Sequence, residues 1–183
     1  MIIFEDSRQQ TNKHDLKHKW FAENGIEIKR TKLYCGDYTL PTNQSVCVDS
    51  KANMGEIYNN LIQDHNRIKA EADRAVEAGI KLYILIEEPD INCLEDVKKW
   101  KNKRYEHWLR VNNAHKYGKM LNTQIPKKPP VNNITLMKIM SSFASKHGVE
   151  WIFCKPEEAG KRIVEILTDE NHIAEASKMV KTE

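Results

Sequence analysis

At 183 residues, with 40% hydrophobic and 30% charged side chains, the chain has the size and balance of one soluble domain that builds its own core. No apolar run approaches a membrane span, and the opening Met1-Ile2-Ile3-Phe4-Glu5-Asp6 is too short and too acidic for a signal peptide, so a cytoplasmic protein is expected. The net charge of +3 (29 − 26) selects no partner by itself.

The first residues read as a short buried strand ending in Glu5-Asp6. Leu16, Trp20 and Phe21 stand at helical spacing and predict a helix over residues 15–24, stopped by Gly25. Residues 26–33 alternate enough for a half-exposed strand leading into Gly36. Gly36-Asp37-Tyr38-Thr39-Leu40 and Val46-Cys47-Val48-Asp49-Ser50-Lys51, joined by Pro41-Thr42-Asn43-Gln44-Ser45, predict a β-hairpin. In a hairpin symmetric about Asn43, Asp37 lies opposite Asp49, and opposed side chains leave the sheet on one face. Lys51, two residues beyond Asp49, shares that face. Two carboxylates and an ammonium on one patch are costly unless a cation or a phosphate belongs there. Asp-x-Lys recurs at Asp15-Leu16-Lys17 and Asp96-Val97-Lys98, in stretches that read as helical, and Glu27-Ile28-Lys29 is its glutamate version. Only the copy at 49–51 has a carboxylate partner across a tight hairpin.

Ile57, Leu61, Ile68, Ala72 and Ala75 form one stripe and predict a single long helix over residues 53–78, with Asn53 as N-cap and Gly79 as its end. Glu56, Asn60, Arg67, Glu71 and Arg74 fall along one flank of that stripe. Lys81-Leu82-Tyr83-Ile84-Leu85-Ile86-Glu87 then reads as a central buried strand, so strand, crossover helix and strand imply an α/β sheet. Residues 90–133 hold ten Lys or Arg against four acids, a local +6. Two short helices, near residues 94–100 and 105–117, are expected there, followed by an irregular Pro126-Lys127-Lys128-Pro129-Pro130. Trp100, Tyr105, Trp108 and Tyr117 interleave with the cations, including Lys98, Lys99, Lys101, Lys103, Arg104 and Arg110. Such a segment suits either a helical excursion packed on the main body or a flexible arm that neutralises phosphates and stacks on bases. Leu136, Ile139, Met140 and Phe143 predict a further helix closed by Gly148, then a strand over 149–154 and a last core helix from Pro156 to Leu167. The domain is expected to span residues 1–168, with the basic insertion at about 90–133 and a polar tail from 169 to 183. Cys35, Cys47, Cys93 and Cys154 lack Cys-x-x-Cys spacing and read as reduced thiols.

The hairpin patch suits a hard divalent cation, Mg²⁺ or Mn²⁺, held by Asp37, Asp49 and the main-chain carbonyl of Ser50. Lys51 would orient or deprotonate an attacking water, or offset charge building on phosphorus. That chemistry is hydrolysis of a phosphodiester.

Gly36-Asp37 followed by Asp49-Ser50-Lys51 resembles the PD-(D/E)xK signature of restriction-endonuclease-like nucleases. Ile2-Ile3-Phe4-Glu5-Asp6-Ser7-Arg8-Gln9 resembles the strand that precedes "G-D-Y" and "E-R-K" in the XPF family of structure-specific endonucleases. The similarity covers most of residues 1–88 and 134–167, including Asn60-Leu61 and His65-Asn66-Arg67. It implies a mixed central sheet flanked by helices and a Mg²⁺ or Mn²⁺ nuclease acting on branched DNA, in a bacterial or phage-infected cell. Residue by residue, Asp6, Asp37, Asp49 and Lys51 match its acidic and lysine positions, and Arg8 and Arg67 match basic positions near the scissile phosphate. Gln9 stands where the family has Glu, Ser50 where it has Arg, and Gly55 where an acid is common. The tandem helix-hairpin-helix domain of larger relatives is not in the sequence, so branched-DNA affinity and any homodimer would depend on the basic segment, the helix flanks or a partner. A sequence-specific restriction or homing-type nuclease on the same core, and a DNA-binding module without catalysis, remain alternatives.

Overall fold

The computed structural model describes residues 1–10, 15–116 and 128–172. Six strands form one mixed sheet in the order β2 (Glu27–Thr31), β1 (Ile2–Asp6), β3 (Tyr38–Leu40), β4 (Asn43–Lys51), β5 (Lys81–Glu87) and β6 (Glu150–Cys154). Strand β1 runs parallel to β2 and antiparallel to β3, β3 is antiparallel to β4, and β4, β5 and β6 are mutually parallel. The helices are α1 (Asp15–Glu23), α2 (Met54–Ile62), α3 (His65–Glu77), α4 (Lys103–Lys116), α5 (Asn133–His147) and α6 (Ala159–Thr168).

Period-2 alternation on the central strands divides the core into two layers. Cys47, Leu82, Ile84 and Ile86 pack with Ile57, Leu61, Ile68 and Ala72 of α2 and α3, and with Leu136, Met140 and Phe143 of α5. Val46, Val48, Tyr83 and Leu85 pack on the other face with Phe21 of α1 and with Ile163 and Ile166 of α6. The mixed α/β architecture is therefore the one expected. The same parity sends Asp49 and Lys51 towards the α2–α3 layer and Ser50 towards α1.

Three local expectations are corrected. The helix foreseen over 53–78 is two helices, broken at Gln63-Asp64. The apolar stripe jumps seven residues there, from Leu61 to Ile68, and Asp64 favours an N-cap position over a helix interior. The hairpin turn is not centred on Asn43, because Leu40 pairs with Asn43 across Pro41-Thr42. A bulge between Thr39 and Leu40 then restores the expected register, with Thr39 opposite Cys47 and Tyr38 opposite Val48. Ahead of α6, Pro156–Glu158 form a short 3₁₀ turn, so the last helix starts at Ala159.

The start of the basic segment is docked, which favours the packed excursion over a flexible arm. Leu94–Lys99 form a 3₁₀ helix that buries Val97 completely. Asn133 donates to the carbonyls of Lys98 and Trp100, while buried Asn102 donates to the Val131 carbonyl and accepts from the Tyr105 N–H. Beyond α6, the His172 ring lies tilted against buried Tyr83 with ring centres 4.6 Å apart. The expectations for Tyr117, Lys119, Pro126-Lys127 and the tail from 173 lie outside the described residues.

Candidate active site

Glycine at 36 is what lets the strand before β3 come in close. Its φ is +67°, and a Cβ there would sit 3.1 Å from both Cys47 Cβ and the Val48 carbonyl oxygen. The next residue, Asp37, donates its N–H to that carbonyl at 2.7 Å. One step beyond the Tyr38–Val48 pair, Asp37 and Asp49 therefore enter the same cleft.

That cleft, of about 440 Å³, is lined by Asp6, Arg8, Gln9, Asp37, Asp49, Ser50, Lys51, Glu56, Arg67, Glu71 and Arg74, among others. It thus gathers Asp6, Arg8, Asp37, Asp49, Ser50, Lys51 and Arg67, seven residues singled out from sequence. Asp37 is 6% exposed and Asp49 3%. The Ser50 N–H donates to Asp37 Oδ2 at 2.9 Å, and the Gln9 side-chain amide donates to Asp37 Oδ1. Lys51 Nζ donates to Asp49 Oδ1 at 2.9 Å and lies 2.7 Å from Oδ2. Close as it is, that second contact is not a directed hydrogen bond, and Asp49 Oδ2 is a buried oxygen without one.

Glu71 is a third carboxylate here. Its Oε1 accepts the Gly36 N–H at 3.0 Å, so it bridges α3 to the glycine before Asp37. Sequence reasoning placed it on the right flank, one turn after Arg67, without assigning it a role in the site; the two form no ion pair among the described residues. The signal available was its phase, because Glu71 follows Arg67 by one turn on the flank that reaches the cleft.

The charges are unevenly matched. Burial, and then the Asp49 charge, push the Asp37 carboxyl well above its ordinary 3.8. Burial and the same Asp49 charge also raise Glu71. Burial pulls the Lys51 ammonium down, but Asp49 and Asp37 outweigh it and the group is held up. Asp6 has a different situation. Burial raises its carboxyl, but the forked contact with Arg8, at 2.9 and 3.0 Å from Nε, lowers it overall. Asp6 thereby positions Arg8, whose guanidinium also donates to the Leu33 carbonyl.

The basic candidates divide. Lys99, Lys101, Lys103 and Arg104 line a neighbouring pocket, whereas Lys98 is ion-paired with Glu95, Lys99 also with Asp96, and Arg110 lies beside His107.

Among the described residues no three His, Cys, Asp or Glu side chains form a metal cage. The donors present are two buried carboxylates, one with an oxygen lacking a directed bond, and the Ser50 carbonyl. This set fits a hard ion that keeps several waters and takes one or two carboxylates. It does not fit a structural zinc site.

A mixed sheet with an Asp immediately before one hairpin strand and Asp-x-Lys at the end of the next is a restriction-endonuclease-like core. The ERCC4 domain model matches residues 6–167, and the chain belongs to that family. Two solved structures share the fold. XPF from Aeropyrum pernix is 14% identical with a TM-score of 0.56, over 91% of this chain and 63% of that one. XPF from Aeropyrum pernix in complex with DNA is 14% identical with a TM-score of 0.55, over 97% of this chain and 65% of that one. The chain thus spans under two thirds of those structures. No curated protein sequence matches it.

Proposed function

We propose that the chain is a Mg²⁺- or Mn²⁺-dependent endonuclease that hydrolyses phosphodiester bonds in branched DNA, such as four-way junctions, forks or flaps. The observation that carries this reading is the surplus of buried carboxylate in the cleft: Asp37 and Asp49 share the single buried ammonium of Lys51, with half-buried Glu71 beside them, while Arg8, Arg67 and Arg74 line the same cleft without being buried. Such a surplus is costly in a folded protein unless a cation enters with the substrate. Asp37, Asp49 and the Ser50 carbonyl would hold the divalent ion, which when bound polarises a phosphoryl oxygen and lowers the pKa of water.

The chain's own groups do the rest. Gln9 and the Ser50 N–H fix the Asp37 carboxylate from two sides. Lys51, donating to Asp49 at 2.9 Å, is placed to orient water and to offset charge on the phosphoryl oxygens. Arg8, Arg67 and Arg74 at the cleft wall bind flanking phosphates. Gln9, where the family resemblance implies Glu, holds Asp37 instead of supplying another charge.

The test is cleavage of a labelled four-way junction and of a linear duplex of the same sequence, with Mg²⁺ or Mn²⁺. Cuts confined to the junction are expected, and Asp49→Asn should slow them on the order of 10³-fold while DNA binding persists. Cutting at one linear site, or binding without cuts under either metal, would overturn the reading.

A further inference from the structure

Beside the active-site cleft lies a second pocket of about 460 Å³, on the other side of the first turn of α2. Asn53 and Gly55 belong to it, while Lys51 and Glu56 line the cleft. Lys51 and Asn53 are two residues apart, so their backbones are separated by at most ~7 Å. That is about two base steps of a stacked strand at ~3.4 Å each.

Its walls have nucleotide chemistry. Tyr58 and Trp100 present rings 6.3 Å apart, and the Arg104 guanidinium lies 5.1 Å over the Tyr58 ring. Exposed Lys101, Lys103 and Arg104 surround the mouth. Glu88 and Asp90 also line it; they disfavour a phosphate in their vicinity but accept the exocyclic amines of a base. The Glu88 carboxylate is partly engaged by the Met54 N–H at 3.2 Å.

The pocket is also rigidly built. Val131 donates its N–H to the Tyr58 hydroxyl at 3.0 Å, and the Asn133 and Asn102 bonds fix the backbone on both sides of Trp100. A ring held in this way stacks on a base at little ordering cost. Gly55, at the helix's second position, adds no side chain to the pocket it lines. A Cβ there would meet only the Asn53 side chain, at 2.9 Å from Oδ1.

We propose that this pocket receives an unpaired nucleotide adjacent to the cleaved strand, its base against Trp100 and its phosphate among Lys101, Lys103 and Arg104. The proposal deepens the nuclease reading and rests on it: a paired duplex keeps its bases stacked inside, whereas a fork or flap offers one to the pocket. Preference for a fork or flap then has a source within the nuclease fold itself.

The experiment measures binding in Ca²⁺, without turnover, to a blunt duplex and to the same duplex with a short unpaired tail. The wild-type protein should prefer the tailed DNA by about tenfold, the scale of one stacked base. Trp100→Ala should bring that ratio close to one. Because Trp100 also touches the core, Trp100→Phe, which keeps a stacking ring, should retain most of the ratio, and Lys103→Glu on the exposed rim should reduce it. A ratio of one in the wild type, or a ratio unchanged in Trp100→Ala and Lys103→Glu, would overturn the pocket while leaving cleavage untouched. Tail preference without cleavage of any DNA in Mg²⁺ or Mn²⁺ would sink the nuclease reading instead.

Discussion

Strand β4 carries a buried charge cluster on each of its two faces, and the clusters are built to opposite rules. On the α1 side, the Lys17 ammonium and the Ser50 hydroxyl both bond to Glu87 Oε1, the latter at 3.0 Å. One cation meets one carboxylate, a hydroxyl takes up remaining acceptor capacity, and Lys17 is only 4% exposed. On the α3 side, two buried carboxylates and half-buried Glu71 meet one buried ammonium beside an open cleft, the nearby guanidiniums of Arg8, Arg67 and Arg74 are not buried with them, and Asp37 and Glu71 are both raised. A balanced buried cluster supports structure; an unbalanced one at a cleft is what binding a cation and a phosphate requires. Glu5 in β1 follows the balanced rule, with the Tyr38 hydroxyl at 3.1 Å, His18 at 2.6 Å and Arg30 at 3.4 Å.

Mutating the two faces should separate these rules. The largest effect is expected at the unbalanced face. Asp49→Asn should lower the rate of DNA cleavage on the order of 10³-fold, while its melting temperature holds or rises because repulsion with Asp37 and Glu71 is relieved. Lys51→Ala should lose as much activity but also melt lower, since it strands the carboxylates. Melting curves beside single-turnover cleavage show whether the two variants diverge.

At the balanced face the loss falls on stability. Lys17→Met leaves Glu87 buried without its cation and should cost about 3–5 kcal/mol in denaturant unfolding, with Lys17→Met/Glu87→Leu recovering much of it. A smaller effect is expected at the turn that joins the two requirements. Gly36→Ala puts a Cβ into left-handed backbone and against Cys47 and Val48, at about 1–2 kcal/mol, and displaces Asp37 enough to slow cleavage.

The smallest expected effect is a pH dependence. Asp37 and Glu71 keep protons in the folded state above their ordinary values of 3.8 and 4.5, where the unfolded chain has released them. The folded state therefore binds more protons in that window, and stability falls as pH rises towards neutrality. Asp6, lowered by Arg8, acts in the opposite sense and only below its ordinary 3.8. Without metal, the protein should melt higher at about pH 5 than at about pH 7, and the difference should shrink in Asp49→Asn. Comparing the two proteins cancels the histidines common to both.

Much of this was legible in the residue pattern because strand parity is local information. The sites of Asp37, Asp49 and Lys51 follow from alternation and a turn, and a shifted turn did not matter because the bulge restored the register. Tertiary partners were not legible. Glu71 reaches Gly36 from 35 residues away, and periodicity gives its helix face without saying what that face meets. The back cluster was hidden for the same reason: Lys17 reads as one more cation on α1, and Ser50 as a lost arginine, until Glu87 is seen between them. The basic segment was undecided for a related reason. Its cations fitted a packed excursion and a flexible arm equally, and Val97, Asn102 and Asn133, all unremarkable as letters, dock its first part to the core.

The central claim is that the α3 face of the sheet holds its carboxylates for a divalent ion. Calorimetric titration of the DNA-free protein with Mn²⁺ tests it most directly, in wild type, Asp49→Asn and Lys17→Met. Saturable binding in wild type and in whatever fraction of Lys17→Met remains folded, abolished in Asp49→Asn, is the predicted result. Equal binding by wild type and Asp49→Asn, or none in the wild type, would contradict the account.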